Sequence, residues 1–266
     1  MSFAQRILLA ALACACVAAT AQDTRKEIEK YQQMIADSSP VELFELEGEA
    51  LWKKPQGPKN VSFAKCDLGL GPGKVAGAYA RLPRWFKDTD KVQDLESRLL
   101  TCMTDLQGRN LKDATARLFG NADRPSEMEY LVSYVVGQSR GHKMAAPVSH
   151  PKERASYELG KKVFFYRAGS WDFSCASCHG EADKRIRMQD LPVLSEPAGA
   201  RLAYTTWPAY RVSSSQLKTM QWRINDCYRQ MRFPEPEFAS EATIALTHYL
   251  AVTAKGAPYR GPGTKR

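Results

Sequence analysis

Apolar residues recur at helical spacing in several segments of the chain, separated by short stretches rich in Gly, Pro and polar residues. Spacings of three and four residues place such side chains on one face of a helix. The pattern predicts helices over residues 42–52, 128–137, 155–165 and 241–254, and Gly160 allows the third of these to pack closely on a neighbour. No run alternates convincingly between apolar and polar positions, as a half-buried strand does. We therefore expect a mainly α fold class.

The most apolar stretch lies at the start of the chain and is too short to span a membrane. Arg6 precedes about 13 apolar residues at 7–19, and small residues at 19–21 form a cleavage site. This pattern predicts a secretory signal peptide at 1–21 and a periplasmic protein without a membrane span. Cys14 and Cys16 lack the Leu three positions upstream that lipid attachment uses, so a lipoprotein is the less favoured alternative.

The segment Cys175–His179 reads C-A-S-C-H, the attachment motif of a c-type haem. Each thiol can add to a haem vinyl group, and the adjacent imidazole can bind the iron. The alternatives are a C-x-x-C redox pair or half of a zinc site, but a zinc site would want a second Cys/His pair, which the sequence lacks. We predict one covalently bound haem c, held by Cys175 and Cys178, with His179 on the iron.

The two halves of the chain share a spacing of Pro, Arg and Cys. From Pro to Cys is 19 residues in both halves, and the Arg stands four residues before the Cys. On a helix this Arg and Cys share one face. The matched residues are Pro83, Arg98 and Cys102 in the first half, and Pro208, Arg223 and Cys227 in the second. We interpret the repeat as an internal duplication of a cytochrome-like module.

The first copy has no haem motif, since residues 63–68 contain one Cys and no His. Cys66 and Cys102 can then bond to each other, and two free thiols are the less favoured alternative in an oxidising compartment. The predicted fold is two tandem cytochrome c-like domains, the first haemless and closed by a disulfide. We place them at residues 22–145 and 146–266, with the boundary in a polar segment rich in Gly and Pro.

The charge is moderately basic, at +9 for the whole chain and +8 once the signal peptide and its single Arg are removed. Basic groups can steer an anionic substrate or an acidic partner. Binding of nucleic acid is not expected, because no basic stripe is interleaved with aromatic residues.

The sixth ligand of the iron is open on the residues alone. Cys227 remains unpaired, and Arg223, Arg229 and Arg232 lie near it in sequence, where positive charge favours a thiolate. A Met ligand or an inert buried thiol is equally consistent with the composition. The Met candidates are Met188, Met220 and Met231.

The haem motif, followed by Trp207–Arg211 and then by residues 223–227, resembles SoxA. SoxA is the catalytic cytochrome c subunit of the SoxAX complex of bacterial thiosulfate oxidation. The family includes di-haem forms and mono-haem forms with a disulfide in place of the first haem. With Cys66 and Cys102 and a single C-x-x-C-H, this chain is similar to the mono-haem type.

The resemblance implies a role for each candidate residue. Cys175 and Cys178 would hold the haem and His179 would be the proximal ligand. Cys227 matches the family's cysteine that ligates the iron as a persulfide and serves as the catalytic sulfur. Arg223 matches the substrate-binding arginine. The three further arginines can add positive field, or else bind haem propionates or water: Arg211, Arg229 and Arg232.

The implied reaction is that of an L-cysteine S-thiosulfotransferase. Thiosulfate is joined to a cysteine of the carrier protein SoxYZ, and two electrons pass through the SoxX cytochrome subunit to a soluble cytochrome c. The alternatives are a plain electron-transfer cytochrome with His/Met ligation and a non-catalytic haem scaffold.

Overall fold

Helices carry most of the fold, as the apolar spacing predicts. The computed structural model describes residues 39–186 and 189–265 and the isolated positions 27, 30 and 34. The predicted signal peptide and Met188 lie outside the described residues. The α-helices are α1 Val41–Lys53, α2 Leu95–Thr101, α3 Leu111–Thr115, α4 Glu127–Gly137, α5 Pro151–Phe165, α6 Cys175–His179, α7 Pro197–Tyr204, α8 Met220–Gln230 and α9 Glu241–Thr253.

In each half, the first long helix crosses the last one at a glycine. Helix α1 packs on α4, and α5 packs on α9. A Cβ at Gly48 would lie 2.0 Å from the carbonyl oxygen of Tyr130, and a Cβ at Gly160 would lie 1.9 Å from that of Ala245. No larger residue fits such an approach without moving a helix. The predicted role of Gly160 in close packing is therefore confirmed, and the first half repeats it.

Short hairpins follow the repeated prolines. Strand β1 (Arg84–Phe86) pairs antiparallel with β2 (Lys91–Gln93), and β5 (Ala209–Arg211) pairs antiparallel with β6 (Gln216–Lys218). Each hairpin follows a cis proline, Pro83 or Pro208, and leads into a helix capped by Asp94 or Thr219. Strands of two or three residues are too short to leave an alternating pattern, which is why the sequence shows none. They are β1 Arg84–Phe86, β2 Lys91–Gln93, β3 Arg185–Ile186, β4 Gln189–Asp190, β5 Ala209–Arg211, β6 Gln216–Lys218 and β7 Gly263–Lys265.

A disulfide closes the interior of the first half. Cys66 and Cys102 are bonded, with both cysteines buried among apolar side chains. Cys102 follows directly on α2 and begins a π turn that ends at Leu106. The predicted pairing is confirmed, and so is the mainly α fold class.

One apolar core runs through both halves, within the compact unit formed by residues 40–264. The segment predicted as the boundary contributes to this core, because Met144 and Ala146 are buried. The backbone amide of Ala145 donates to the carbonyl of Ala80 at 2.7 Å. The position of the boundary at 145/146 stays a prediction. Among the described residues, no helix has both the length and the apolar character needed to cross a membrane.

Candidate active site

The haem motif forms a short helix whose first turn is capped by a serine. Ser174 Oγ accepts from the backbone amide of Ser177 at 3.2 Å, which satisfies a free N–H at the start of α6. The sequence Cys175–His179 then occupies the whole helix, so the two thiols lie about one turn apart and the imidazole of His179 directly follows Cys178.

His179 is held in the tautomer that a metal ligand requires. Its Nδ1 lies 2.9 Å from the carbonyl oxygen of Pro192. Because a carbonyl only accepts, Nδ1 carries the proton and Nε2 keeps its lone pair. Burial lowers the pKa of His179, which also favours the neutral imidazole. The histidine is therefore prepared to bind iron through Nε2.

The two cysteines of α6 are free and partly accessible. Burial raises the pKa of Cys175 to about 12, and the nearby sulfur of Cys227 adds to the effect. Among the described residues, no group of three or more His, Cys, Asp and Glu side chains could hold a bare metal ion. The donor set of two thiols beside one imidazole fits a covalently attached haem c.

Helix α8 carries Arg223 and Cys227 on one face. Thr219 caps the helix by accepting from the amide of Trp222 at 3.2 Å. Burial raises the pKa of Cys227, while the positive charge of Arg223 opposes the increase. Cys178 also acts on Cys227, and Arg223 acts on His179, so these groups lie within electrostatic reach of one another. The fold therefore brings the catalytic candidates of α8 to the haem motif.

Arg223 is fixed from two sides. Its Nη1 donates to Asp226 Oδ2 at 2.8 Å, and its guanidinium lies 5.6 Å from the ring centroid of Trp207. Asp226 also accepts from Arg229 at 3.3 Å and from Gln230 at 3.0 Å. About a quarter of the Arg223 side chain, 27%, is exposed, so an anion can reach it.

The other predicted arginines lie around this centre with partners of their own. Arg229 bonds to Asp226 and also lies 3.5 Å from Glu235. Arg232 lies over the ring of Trp171 at 5.4 Å. Arg211 ends β5 and acts electrostatically on Cys227.

The described methionine candidates are both buried. Met220 opens α8 and belongs to the apolar core. Met231 caps the C-terminus of α8, and its amide donates to the carbonyl of Cys227 at 3.0 Å.

Three contributors to the site were not predicted. Asp226 lies three residues after Arg223, so helical spacing alone could have suggested the ion pair. Trp207 belongs to the repeat, but its ring reaches Arg223 only through the fold of the β5–β6 hairpin. The carbonyl of Pro192 carries no sequence signal.

Known proteins are similar to both halves of the chain. The family model of the SoxA/TsdA cytochrome c domain matches residues 47–144 and 159–259, one segment in each half. The L-cysteine S-thiosulfotransferase subunit SoxA of Hydrogenophilus thermoluteolus is 50% identical over 265 residues, which cover 97% of each chain. A subunit of the same name from Hydrogenobacter thermophilus is 35% identical over 246 residues, 91% of each chain.

A solved structure shares the fold. The crystal structure of SoxXA from P. pantotrophus superposes with a TM-score of 0.73 at 24% identity, covering 89% of this chain and 84% of the other. The tandem cytochrome c-like organisation predicted from the repeat is confirmed by the two matched segments. The chain belongs to the SoxA family.

Proposed function

We propose that the chain is the catalytic subunit of an L-cysteine S-thiosulfotransferase. It would join thiosulfate to a cysteine of the SoxYZ carrier and release two electrons. The observation that carries the proposal is the placement of Arg223 and Cys227 on one face of α8, within electrostatic reach of the haem motif. The high identity to relatives named as this enzyme's subunit supports it.

The second half would hold one haem c. Cys175 and Cys178 would be its thioether links, and His179 would bind the iron through Nε2, which the contact to Pro192 leaves free. Once bound, the haem would take electrons one at a time from the sulfur chemistry. The first half has no C-x-x-C-H, and a disulfide joins its two cysteines, which supports the mono-haem form.

Cys227 would be both the distal iron ligand and the catalytic sulfur, as a thiolate or a persulfide. Its sulfur forms an S–S bond with the outer sulfur of thiosulfate, a step that releases two electrons. The carrier thiolate then attacks that outer sulfur, its bond to the Cys227 sulfur breaks, and the Cys227 sulfur leaves as the thiolate or persulfide anion with which the reaction began. The net reaction joins one thiolate and one thiosulfate into a cysteine S-thiosulfonate and yields two electrons.

Arg223 would hold the sulfonate end throughout. A guanidinium offers two parallel N–H donors to an oxyanion, and its charge offsets the repulsion between thiosulfate and a sulfur anion. To bind substrate it must share its donors with Asp226 or release it. Arg211, Arg229 and Arg232 would add positive field around the same site.

The partners follow from the same proposal. SoxX would form a heterodimer with this chain and pass electrons to a soluble cytochrome c, and SoxYZ would present its cysteine to Cys227. The similar crystal structure is that of SoxXA, which supports a SoxX partner. The signal-peptide pattern at 1–21 supports a periplasmic location.

A His/Met electron-transfer cytochrome is the second candidate, because Met231 lies one turn beyond Cys227 and is buried. One experiment separates the two. Wild type, Cys227→Ala and Arg223→Ala are assayed with thiosulfate, carrier and an oxidised acceptor, and the ferric absorption spectra are compared. Arg154→Ala is the matched control, since Arg154 is an exposed arginine of α5 that donates to the carbonyl of Ser149.

We expect Cys227→Ala to be inactive and to lose its sixth ligand, with no far-red Met–iron band in the wild type. Loss of Arg223 removes charge-assisted hydrogen bonds to substrate and should lower kcat/KM roughly ten- to hundredfold. Full activity in Cys227→Ala would refute the proposal. Intact mass gives the haem count: the mature chain plus one haem, less two hydrogens for the disulfide, is expected.

A further inference from the structure

The N-termini of helices α2 and α8 meet across the interface between the two halves. Glu96 and Gln221 are each the second residue of their helix and each lie 13 residues after the repeated proline. The backbone amide of Gln221 donates to Glu96 Oε2 at 3.0 Å, and its side-chain Nε2 donates to Asp94 Oδ2 at 2.8 Å. We call Asp94, Glu96 and Gln221 the repeat junction.

The repeat junction is buried and acidic. Its three residues are 3%, 3% and 1% exposed. Two helix N-termini that face each other bring two partial positive charges together, and the acceptor oxygens of Asp94 and Glu96 placed between them offset the repulsion. Burial of a carboxylate is nevertheless unfavourable, and an apolar contact would hold two helices together more simply. The acidic pair instead fixes the position of α8, because each hydrogen bond to Gln221 restrains the start of that helix.

Further contacts of Gln221 also restrain the position of α8. Its Oε1 accepts from the amide of Ala239, so the side chain binds an element on each side of the helix. Cys227 lies six residues further on, about 9 Å along the same rigid helix. A shift of the helix start therefore moves the sulfur by the same amount.

A second contact from the first half reaches the same site. The hydroxyl of Tyr79 donates to the carbonyl of Trp207 at 3.1 Å. The ring of Trp207 is the surface over which Arg223 lies. The two elements that position Arg223 are α8 and Trp207, and both are thus hydrogen-bonded to the haemless half.

We infer that the haemless half positions the catalytic helix, with Asp94 and Glu96 as positioning residues that act on Cys227 and Arg223 through Gln221. The inference rests on the proposed function in taking Cys227 as the distal iron ligand. It adds that the first half determines where that ligand stands. A metal–ligand bond tolerates an error of only about 0.2 Å, so a small displacement of α8 is enough to change the ligation.

The test uses the haem-loaded protein in complex with its cytochrome partner. Glu96→Ala removes the acceptor for Gln221, and Gln221→Ala is a milder change that removes only the side-chain bonds to Asp94 and Ala239. Glu96→Gln keeps the acceptor and is the rescue variant. Gln107→Ala is the matched control, because Gln107 is a buried residue whose side chain donates to the carbonyl of Val61 within its own half.

Two readouts are needed. Hydrogen exchange measures protection of the first turn of α8, and electron paramagnetic resonance of the ferric protein measures the ligands of the iron. We expect Glu96→Ala to speed exchange at Gln221 roughly ten- to hundredfold and to shift the spectrum away from that of the wild type. Gln221→Ala should show a smaller change of both, and Glu96→Gln and Gln107→Ala should show neither.

Faster exchange with an unchanged spectrum would overturn the inference, since the junction would then be a structural contact only. Unchanged exchange in both Glu96→Ala and Gln221→Ala would overturn it as well. Failure of the proposed function is separate, because it appears as a wild-type spectrum in Cys227→Ala whatever the exchange rates are.

Discussion

Replacement of Glu96 by Gln should make the protein more stable at alkaline pH. Burial raises the pKa of Glu96 to about 8, and the neighbouring charge of Asp94 adds to it, against the hydrogen bonds from Thr219 and Gln221. The further titratable groups that face Glu96 are also acids: Glu129, Tyr79 and Tyr204. The carboxyl therefore keeps its proton in the folded protein at neutral pH.

The sign follows from proton binding. Between pH 4.5 and about 8 the folded chain holds a proton at Glu96 that the unfolded chain has released. The contribution of Glu96 to stability is thus fully present below pH 4.5 and is lost as pH rises towards 8. Each pH unit in this window changes the free energy of unfolding by about 1.4 kcal/mol, which sums to about 5 kcal/mol. Gln has no proton to lose, so Glu96→Gln escapes the decline.

The assay is urea unfolding of wild type and Glu96→Gln at several pH values from 4.5 to 8.5, followed by far-ultraviolet circular dichroism. The difference in unfolding free energy should grow with pH in favour of the variant and level off near pH 8. Replacement of Glu96 also removes its charge repulsion with Asp94, so the difference in unfolding free energy reports on both carboxyl groups together. Glu237→Gln, at an exposed position, is the control and should show no such trend. A difference that is constant, or that grows towards acid, would refute the reasoning.

Three further predictions concern the disulfide, the helix crossing and the ion pair at the site. The double change of Cys66 and Cys102 to Ala should lower the free energy of unfolding by about 3–4 kcal/mol, measured with urea, because it frees a 36-residue loop, and it should leave the haem spectrum unchanged. Gly160→Ala should cost about 1–3 kcal/mol in the same measurement, because its Cβ meets the carbonyl of Ala245. Asp226→Asn should lower KM for thiosulfate up to about fivefold in steady-state kinetics by releasing Arg223, and an increased KM would contradict this role.

The sequence predicted those features that depend on local spacing. The helix predicted at 155–165 is part of α5, and the helix predicted at 241–254 is α9 within one residue. Helical periodicity and a buried glycine leave a pattern that can be read directly. The pairing of Cys66 with Cys102 could also be predicted from the sequence, because the repeat placed both cysteines outside the haem motif.

Contacts between segments distant in the chain could not be predicted from the sequence. The bond between Glu96 and Gln221 joins residues 125 positions apart, and only the fold shows that two helix starts meet. The repeat marks both residues as equivalent, yet equivalence in sequence does not imply contact. In the same way, His179 is oriented by the carbonyl of Pro192, a group that every residue carries.

Arg98 and Arg223 occupy the same position of the repeat but have different surroundings. In the first half the Arg98 side chain is 5% exposed, donates to the carbonyl of Asp67 at 2.7 Å and lies 4.1 Å over the ring of Phe86. These contacts all lie inside its own half, beside the disulfide. In the second half Arg223 is 27% exposed and lies open to an anion.

Some polar contacts of the haemless half with the second half reach α8 and Trp207, the elements that hold Arg223. Others reach α5, where Glu153 accepts from the amide of Trp85 and Lys152 bonds to Asp90. An acidic pair at the repeat junction, in a place where burial disfavours charge, indicates a requirement for the position of α8 and not for stability. The haemless half would then set the position of α8, and so of the Cys227 sulfur, in the second half.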